Sequence, residues 1–186
     1  MFTRSILFAV AALLAWGAAA KVSPAVSDQA PSIAAYHLAP GDRLRITVFG
    51  EERLSGEYSL TPAGNVAFPL IGLVKADGKS VEEVQALITA RLAAGYVNDP
   101  RVSAEVIVFR PYYILGEVNR PGAFPFAVGL TLDQAVASAG GFTYRANHRR
   151  AFLRRADDPR EHMVDLRLGP VSIAPGDTIR IGERYF

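Results

Sequence analysis

Leu38-Ala39-Pro40-Gly41-Asp42-Arg43-Leu44-Arg45-Ile46 and Ile173-Ala174-Pro175-Gly176-Asp177-Thr178-Ile179-Arg180-Ile181 are near-repeats set far apart in one chain. Each reads as a Pro-Gly-Asp turn that launches a short strand of alternating apolar and polar residues. Proline pre-sets the first turn dihedral, glycine accepts the positive one, and aspartate bonds the backbone just beyond. Further turns of the same style lie between these corners, and no catalytic motif interrupts them. The pattern predicts a β-rich binding or assembly protein.

Outward from the first corner, Leu44, Ile46 and Val48 alternate with Arg43, Arg45 and Thr47 as a half-buried strand. Pro62-Ala63-Gly64-Asn65 is a tight turn, and Val66 to Val74 is an apolar run in which Pro69 and Gly72 impose an edge or a bend. Ser80 and Glu83 form a capping box for a helix whose stripe is Val81, Val84, Leu87, Ile88 and Leu92, with Gly95 as its stop. Val102, Ala104, Val106 and Val108 then alternate as a strand.

The pattern restarts after Pro111. Tyr112 to Val118 reads as a strand, Arg120-Pro121-Gly122-Ala123 as a turn, and Ala123 to Ala127 as the returning partner. Thr131 and Gln134 box a second, shorter helix with the stripe Leu132, Ala135, Val136 and Ala139, stopped by Gly140-Gly141. Ala151–Arg155, His162–Leu168 and Thr178–Ile181 read as the remaining strands. The expectation is an α+β protein of two small β-rich domains, 36–110 and 111–186, each with one main helix, the second β-grasp-like.

Ahead of these domains, Arg4, the apolar run Ile6 to Trp16 and Ala18-Ala19-Ala20 have the layout of a signal peptide over 1–20. The apolar run is shorter than the roughly 20 residues a membrane-spanning helix needs. Residues 21–35, rich in Pro, Ala and Ser, read as a flexible linker. Export to the periplasm follows as the expected localisation. With no cysteine in the chain, disulfides, thiolate chemistry and a lipid-attachment thiol are excluded. Without Arg4 the balance is 19 basic against 18 acidic residues, which gives no support for bulk nucleic-acid binding.

Tyr36-x-Leu38-x-Pro40-Gly41-Asp42, Gly64-Asn65-Val66-x-x-Pro69-Leu70-Ile71-Gly72 and Gly116-Glu117-Val118-x-x-Pro121-Gly122 occur in that order, followed by Thr131-Leu132 and Ala139-Gly140-Gly141. This series resembles the bacterial polysaccharide biosynthesis and export family, the outer-membrane export proteins of capsule and exopolysaccharide. The resemblance implies an export domain over 36–110 and a soluble-ligand-binding β-grasp (SLBB) domain over 111–186. It implies no enzyme, no cofactor and no metal, but a homo-oligomer that handles a polysaccharide chain with an inner-membrane co-polymerase. Pro40, Gly41, Asp42, Gly64, Pro69, Gly72, Gly116, Pro121, Gly122, Gly140 and Gly141 become structural residues. Because the sequence shows no lipidation cysteine and no amphipathic helix before Phe186, a periplasmic adaptor leaning on a separate outer-membrane β-barrel is expected rather than a complete channel.

Catalytic chemistry finds little support in the residues. His37, His148 and His162 stand in no metal-ligand or triad spacing, and Glu51-Glu52 and Asp157-Asp158 are adjacent pairs. A glycosidase pair must instead face each other across a bond, about 5 to 10 Å apart. The polar cluster Arg145, Asn147, His148, Arg149, Arg150, Arg154 and Arg155 suits charge-assisted contact with an acidic glycan, subunit pairing in an oligomer, or a solvated face balanced by Asp157, Asp158, Glu161 and Asp165. Phe109, Tyr112, Tyr113, Phe124 and Phe126 are the candidate sugar-stacking rings, with core packing as the alternative. Arg145, Asn147, Arg149, Arg150 and Arg154 are therefore the candidates for glycan or subunit contact, and the alternative function is a periplasmic soluble-sugar-binding or sensing module.

Overall fold

A computed structural model describes residues 36–184. The stretches expected to form a signal peptide (1–20) and a linker (21–35), and the terminal pair at 185–186, lie outside the described residues. Among those described, no helix is long and apolar enough to cross a membrane.

Both Pro-Gly-Asp stretches form the same corner. The Asp42 N–H donates to the Ala39 carbonyl at 3.1 Å, and the Asp177 N–H donates to the Ala174 carbonyl at 3.2 Å. Gly41 and Gly176 take φ of 98° and 84°, the left-handed region that a side chain resists. From the first corner runs β1 (Arg43–Val48), which pairs antiparallel with β2 (Gly56–Ser59) and β5 (Val102–Val108) in the order β2-β1-β5. Its alternation is complete, with Leu44, Ile46 and Val48 buried and the residues between them exposed.

The apolar run after Gly64 resolves into two strands rather than one, β3 (Asn65–Phe68) and β4 (Gly72–Lys75), which form a hairpin. Pro69 lies in the turn, where it removes no ladder donor. Helix α1 (Val81–Ala93) carries the complete capping box and buries Val84, Ile88 and Leu92 against the sheet, with Val81 and Leu87 at the margin of that core. β5 departs from the predicted alternation at its end: Val102 is buried, but Val108 is 46% exposed because the core stops short of it.

A second core gathers residues between Tyr112 and Ile181. Its sheet has the order β7-β6-β10-β8-β9, formed by β6 (Tyr112–Gly116), β7 (Gly122–Phe124), β8 (Ala146–Arg154), β9 (Glu161–Asp165) and β10 (Thr178–Glu183). β10 runs parallel to β6 and antiparallel to β8, and helix α2 (Leu132–Ser138), boxed by Thr131 and Gln134, covers one face with Leu132, Ala135 and Val136. Two central parallel strands, flanking hairpins and one helix make this unit β-grasp-like, and the whole chain α+β. Gly116 shows why glycine is needed between β6 and β10: a Cβ there would lie 2.0 Å from the Ile181 carbonyl oxygen.

All five strands of this unit differ in their limits from those expected: β6 ends at Gly116 rather than Val118, and β10 runs on to Glu183. β7 ends at Phe124 rather than Ala127. β9 ends at Asp165, whose side chain then bonds Arg167 and turns the chain. β8 begins at Ala146 rather than Ala151 and ends at Arg154, so most of the arginine-rich stretch lies in the strand.

Candidate functional site

The face of the β-grasp sheet away from α2 is open. Strand alternation brings Arg150, Phe152 and Arg154 of β8 to it, since their neighbours Ala151 and Leu153 are buried. Register places Asp165, Met163 and Glu161 of β9 opposite those three residues. On the other side, Phe152 lies opposite Arg180 of β10, and Arg180 opposite Leu115 of β6. Tyr113, Leu115 and Met163 are 43%, 42% and 57% exposed, so apolar surface and arginine alternate across the face.

At one end of this face is a pocket of about 470 Å³, lined by Glu117, Asn147, Arg150, Phe152, Met163, Arg180 and Glu183 among others. The Arg180 guanidinium lies 4.0 Å from the Phe152 ring centroid, and its Nε donates to Glu161 Oε1 at 3.0 Å. That hydrogen bond holds the Glu161 carboxyl below the usual carboxylate range. Glu117 accepts a hydrogen bond from the Thr143 hydroxyl, and Glu183 pairs with Arg145 at 2.9 Å. Both pocket carboxylates are thus engaged by their own neighbours. Arg150 makes no ion pair among the described residues, although its charge helps lower the pKa of Asp165, after the hydrogen bonds from Arg167.

The five predicted contact residues do not form one cluster. Asn147 and Arg150 reach the pocket. Asn147 also uses Oδ1 to accept the Arg149 and Arg150 N–H groups at 2.9 and 3.2 Å, which fixes the start of β8. Arg154 stands at a separate depression with Tyr113 and Thr178, while Arg145 is tied to Glu183 and Arg149 is exposed outside the pocket. Sequence reading missed Phe152, Met163 and Arg180. The alternation Arg150-x-Phe152-x-Arg154 was the available signal, but only the pairing register adds Arg180 and Met163.

Of the candidate stacking rings, Tyr112 is 1% exposed and stacks with Phe124 at 5.8 Å, which makes both core residues. His148 packs on Phe142 at 4.6 Å, and His162 Nε2 lies 2.8 Å from Asp158 Oδ2. That contact lowers the pKa of Asp158. Among the described residues, no group of three or more His, Asp or Glu could hold a metal ion. Chemically, the pocket offers an aromatic face, guanidinium and amide donors and partly engaged carboxylates, a set suited to a polyhydroxylated ligand.

Comparison with known proteins agrees with this architecture. Residues 30–107 match the model described as polysaccharide biosynthesis/export protein, and residues 111–164 match the SLBB domain. The exopolysaccharide production protein ExoF of Rhizobium meliloti is 35% identical over 185 residues, covering 93% of this chain and 39% of the relative. The polysialic acid transport protein KpsD of Escherichia coli is 28% identical over 158 residues, 80% of this chain and 28% of its own length. The EPS I polysaccharide export outer membrane protein EpsA of Ralstonia solanacearum is 37% identical over 87 residues, 45% of this chain and 23% of EpsA. The chain therefore spans less than half the length of each of these relatives. The chain thus carries a polysaccharide biosynthesis/export domain followed directly by an SLBB domain.

Proposed function

We propose that this protein is a non-enzymatic periplasmic component of capsular or exopolysaccharide export across the outer membrane, acting as an oligomeric adaptor or conduit. The observation that carries the reading is the tandem of an export-family domain and an SLBB domain in one chain. The open sheet face supports it: Arg150 and the Phe152–Arg180 pair present cationic and aromatic surface to a passing glycan, with Asn147 at the rim and Arg154 further along. Such contacts are individually weak, so a chain slides rather than sticks. The partners of this reading are the polysaccharide, an inner-membrane co-polymerase, a separate outer-membrane β-barrel and further copies of the chain.

A second reading, a periplasmic module that binds or senses a soluble sugar, is favoured by the pocket itself, whose 470 Å³ is enough for a small ligand. Deleting the gene and locating the glycan separates the two. Loss of surface polysaccharide, with polymer trapped in the periplasm or synthesis shut down, and restoration by the intact gene, is the result expected of an export component. Normal surface glycan in a strain with no second copy would overturn that role and leave the sensing module.

A further inference from the structure

Three residues, Phe109-Arg110-Pro111, connect β5 to β6 and thus the first core to the second. Arg110 touches both Pro-Gly-Asp corners. Its backbone N–H donates to Asp42 Oδ1 at 2.8 Å, and its Nη1 lies 3.9 Å from Asp42 Oδ2. Its Nε donates to the Pro175 carbonyl at 3.0 Å, so one side chain spans from the aspartate of the first corner to the backbone of the second. The guanidinium also lies 5.8 Å from the centroid of the Tyr36 ring, whose hydroxyl donates to Asp42 at 2.6 Å.

The second corner is shaped to receive this side chain. A Cβ on Gly176 would fall 2.6 Å from Arg110 Nε, so the arginine occupies space that only glycine leaves open. The Gly176 N–H donates back to the Pro111 carbonyl at 3.1 Å. Phe109 meets Tyr36 of the first unit at 5.1 Å and Phe126 of the second at 5.5 Å, both edge to face.

The Arg110 guanidinium is not fully satisfied. Its Nη1 is buried without a hydrogen-bond partner among the described residues, as is Asp177 Oδ1 across the junction. Leaving Nη1 unpartnered carries a desolvation cost that an apolar side chain at this position would avoid. What the guanidinium supplies instead is direction, because its donors are fixed in one plane. Beside it lies a cleft of about 700 Å³, lined by Tyr36, His37, Arg155, Asp157 and Asp177 among others.

We propose that Arg110 is an orientation clamp: it fixes the angle between the export-family unit and the β-grasp unit by joining the two Pro-Gly-Asp corners. In an oligomer this presents both units of every subunit to its neighbours in one geometry. That consequence rests on the export reading, whereas the clamp itself is a property of the single chain.

Backbone N–H residual dipolar couplings on the exported protein test it. Wild type is expected to fit one alignment tensor for both units. Arg110→Met, which keeps the stem and removes the guanidinium, is expected to need two tensors whose magnitudes differ by about twofold or more, the mark of units that reorient separately. Amide shifts remote from the junction stay unchanged. Should Arg110→Met fold poorly, Arg110→Lys, which keeps the charge but lacks the planar donor fork, is expected to split the tensors in the same direction. One common tensor in a folded variant overturns the clamp and assigns the angle to the Phe109–Phe126 contact. Failure of the export reading is seen in the deletion strain and leaves these couplings unaffected.

Discussion

At the scale of single residues, the two corner aspartates carry most of the unusual chemistry. Asp42 is fully buried, and its carboxylate accepts from the Ala39 N–H at 2.9 Å, the Tyr36 hydroxyl and the Arg110 N–H. Asp177 repeats the local half, accepting from the Ala174 N–H at 2.8 Å and pairing with Arg155 at 2.6 Å. Asp42→Ala strips three donors and the Arg110 charge of their partner, and urea unfolding is expected to show a loss of about 3 kcal/mol. Asp177→Ala is expected to lose less, because the Arg155 side chain is 39% exposed and can turn to water.

Tyr36 supplies a pH prediction. Burial, then the hydrogen bond to Asp42 and its charge, raise the phenol's pKa far above its ordinary value. A folded pKa above the unfolded one means stability that is whole below about pH 10, the ordinary tyrosine pKa, and declines as pH rises beyond it. Tyr36→Phe is therefore expected to be less stable at pH 7 by about 1 kcal/mol, the worth of one hydrogen bond, with the gap narrowing above pH 10. Chemical denaturation at a series of pH values reads both limbs. A gap that stays constant from pH 7 to above pH 10 would contradict the assignment.

At the scale of elements, the junction of β6 with β10 is the least tolerant place. Gly116 has φ of 85° and its missing Cβ makes room for the Ile181 carbonyl. Gly116→Ala combines left-handed strain of about 1–2 kcal/mol with displacement of the parallel strand. Its total destabilisation, read from the denaturation midpoint, is expected to exceed that strain alone. Hydrogen exchange should rise most in β6 and β10 while α1 keeps its protection, since α1 packs in the other core.

Much at this scale was legible. Ser80 with Glu83, and Thr131 with Gln134, announced both helices, and every hydrogen bond of those boxes spans three residues. β2 was not legible: Gly56-Glu57-Tyr58-Ser59 is a short edge strand with no fully buried residue, only Tyr58 leaning on the first core, and its pairing with β1 defines it. The limits of β7 and β9 were misread for the same reason.

At the scale of the whole molecule, the open β-grasp face and the rigid junction are the features an assembly would use. Exposed Tyr113, Leu115 and Met163 lie among Arg150, Arg154 and Arg180 on one sheet face, a mixture suited to protein or glycan contact. If the chain works as a conduit or adaptor, sedimentation velocity at tens of micromolar is expected to show concentration-dependent association. A monomer under those conditions, alone and with glycan, would favour the sugar-sensing module instead.

The sequence by itself determined what depends on near neighbours: the two Pro-Gly-Asp corners, both capped helices, the apolar stripe of α1 and the alternation of β1. It also carried the ordered motifs that mark the family. Only the tertiary structure decided that β10 runs parallel to β6, that Arg150 reaches the pocket while Arg145 and Arg149 do not, that Phe152 and Arg180 stack, and that Arg110 joins the two corners. The physical reason is range. Corners and caps close hydrogen bonds within about four residues, where chain geometry leaves few alternatives. The Arg110–Asp42 and Arg110–Pro175 bonds close 68 and 65 residues. Contacts at such separations are selected by the packing of whole sheets, so no local spacing in the chain announces them.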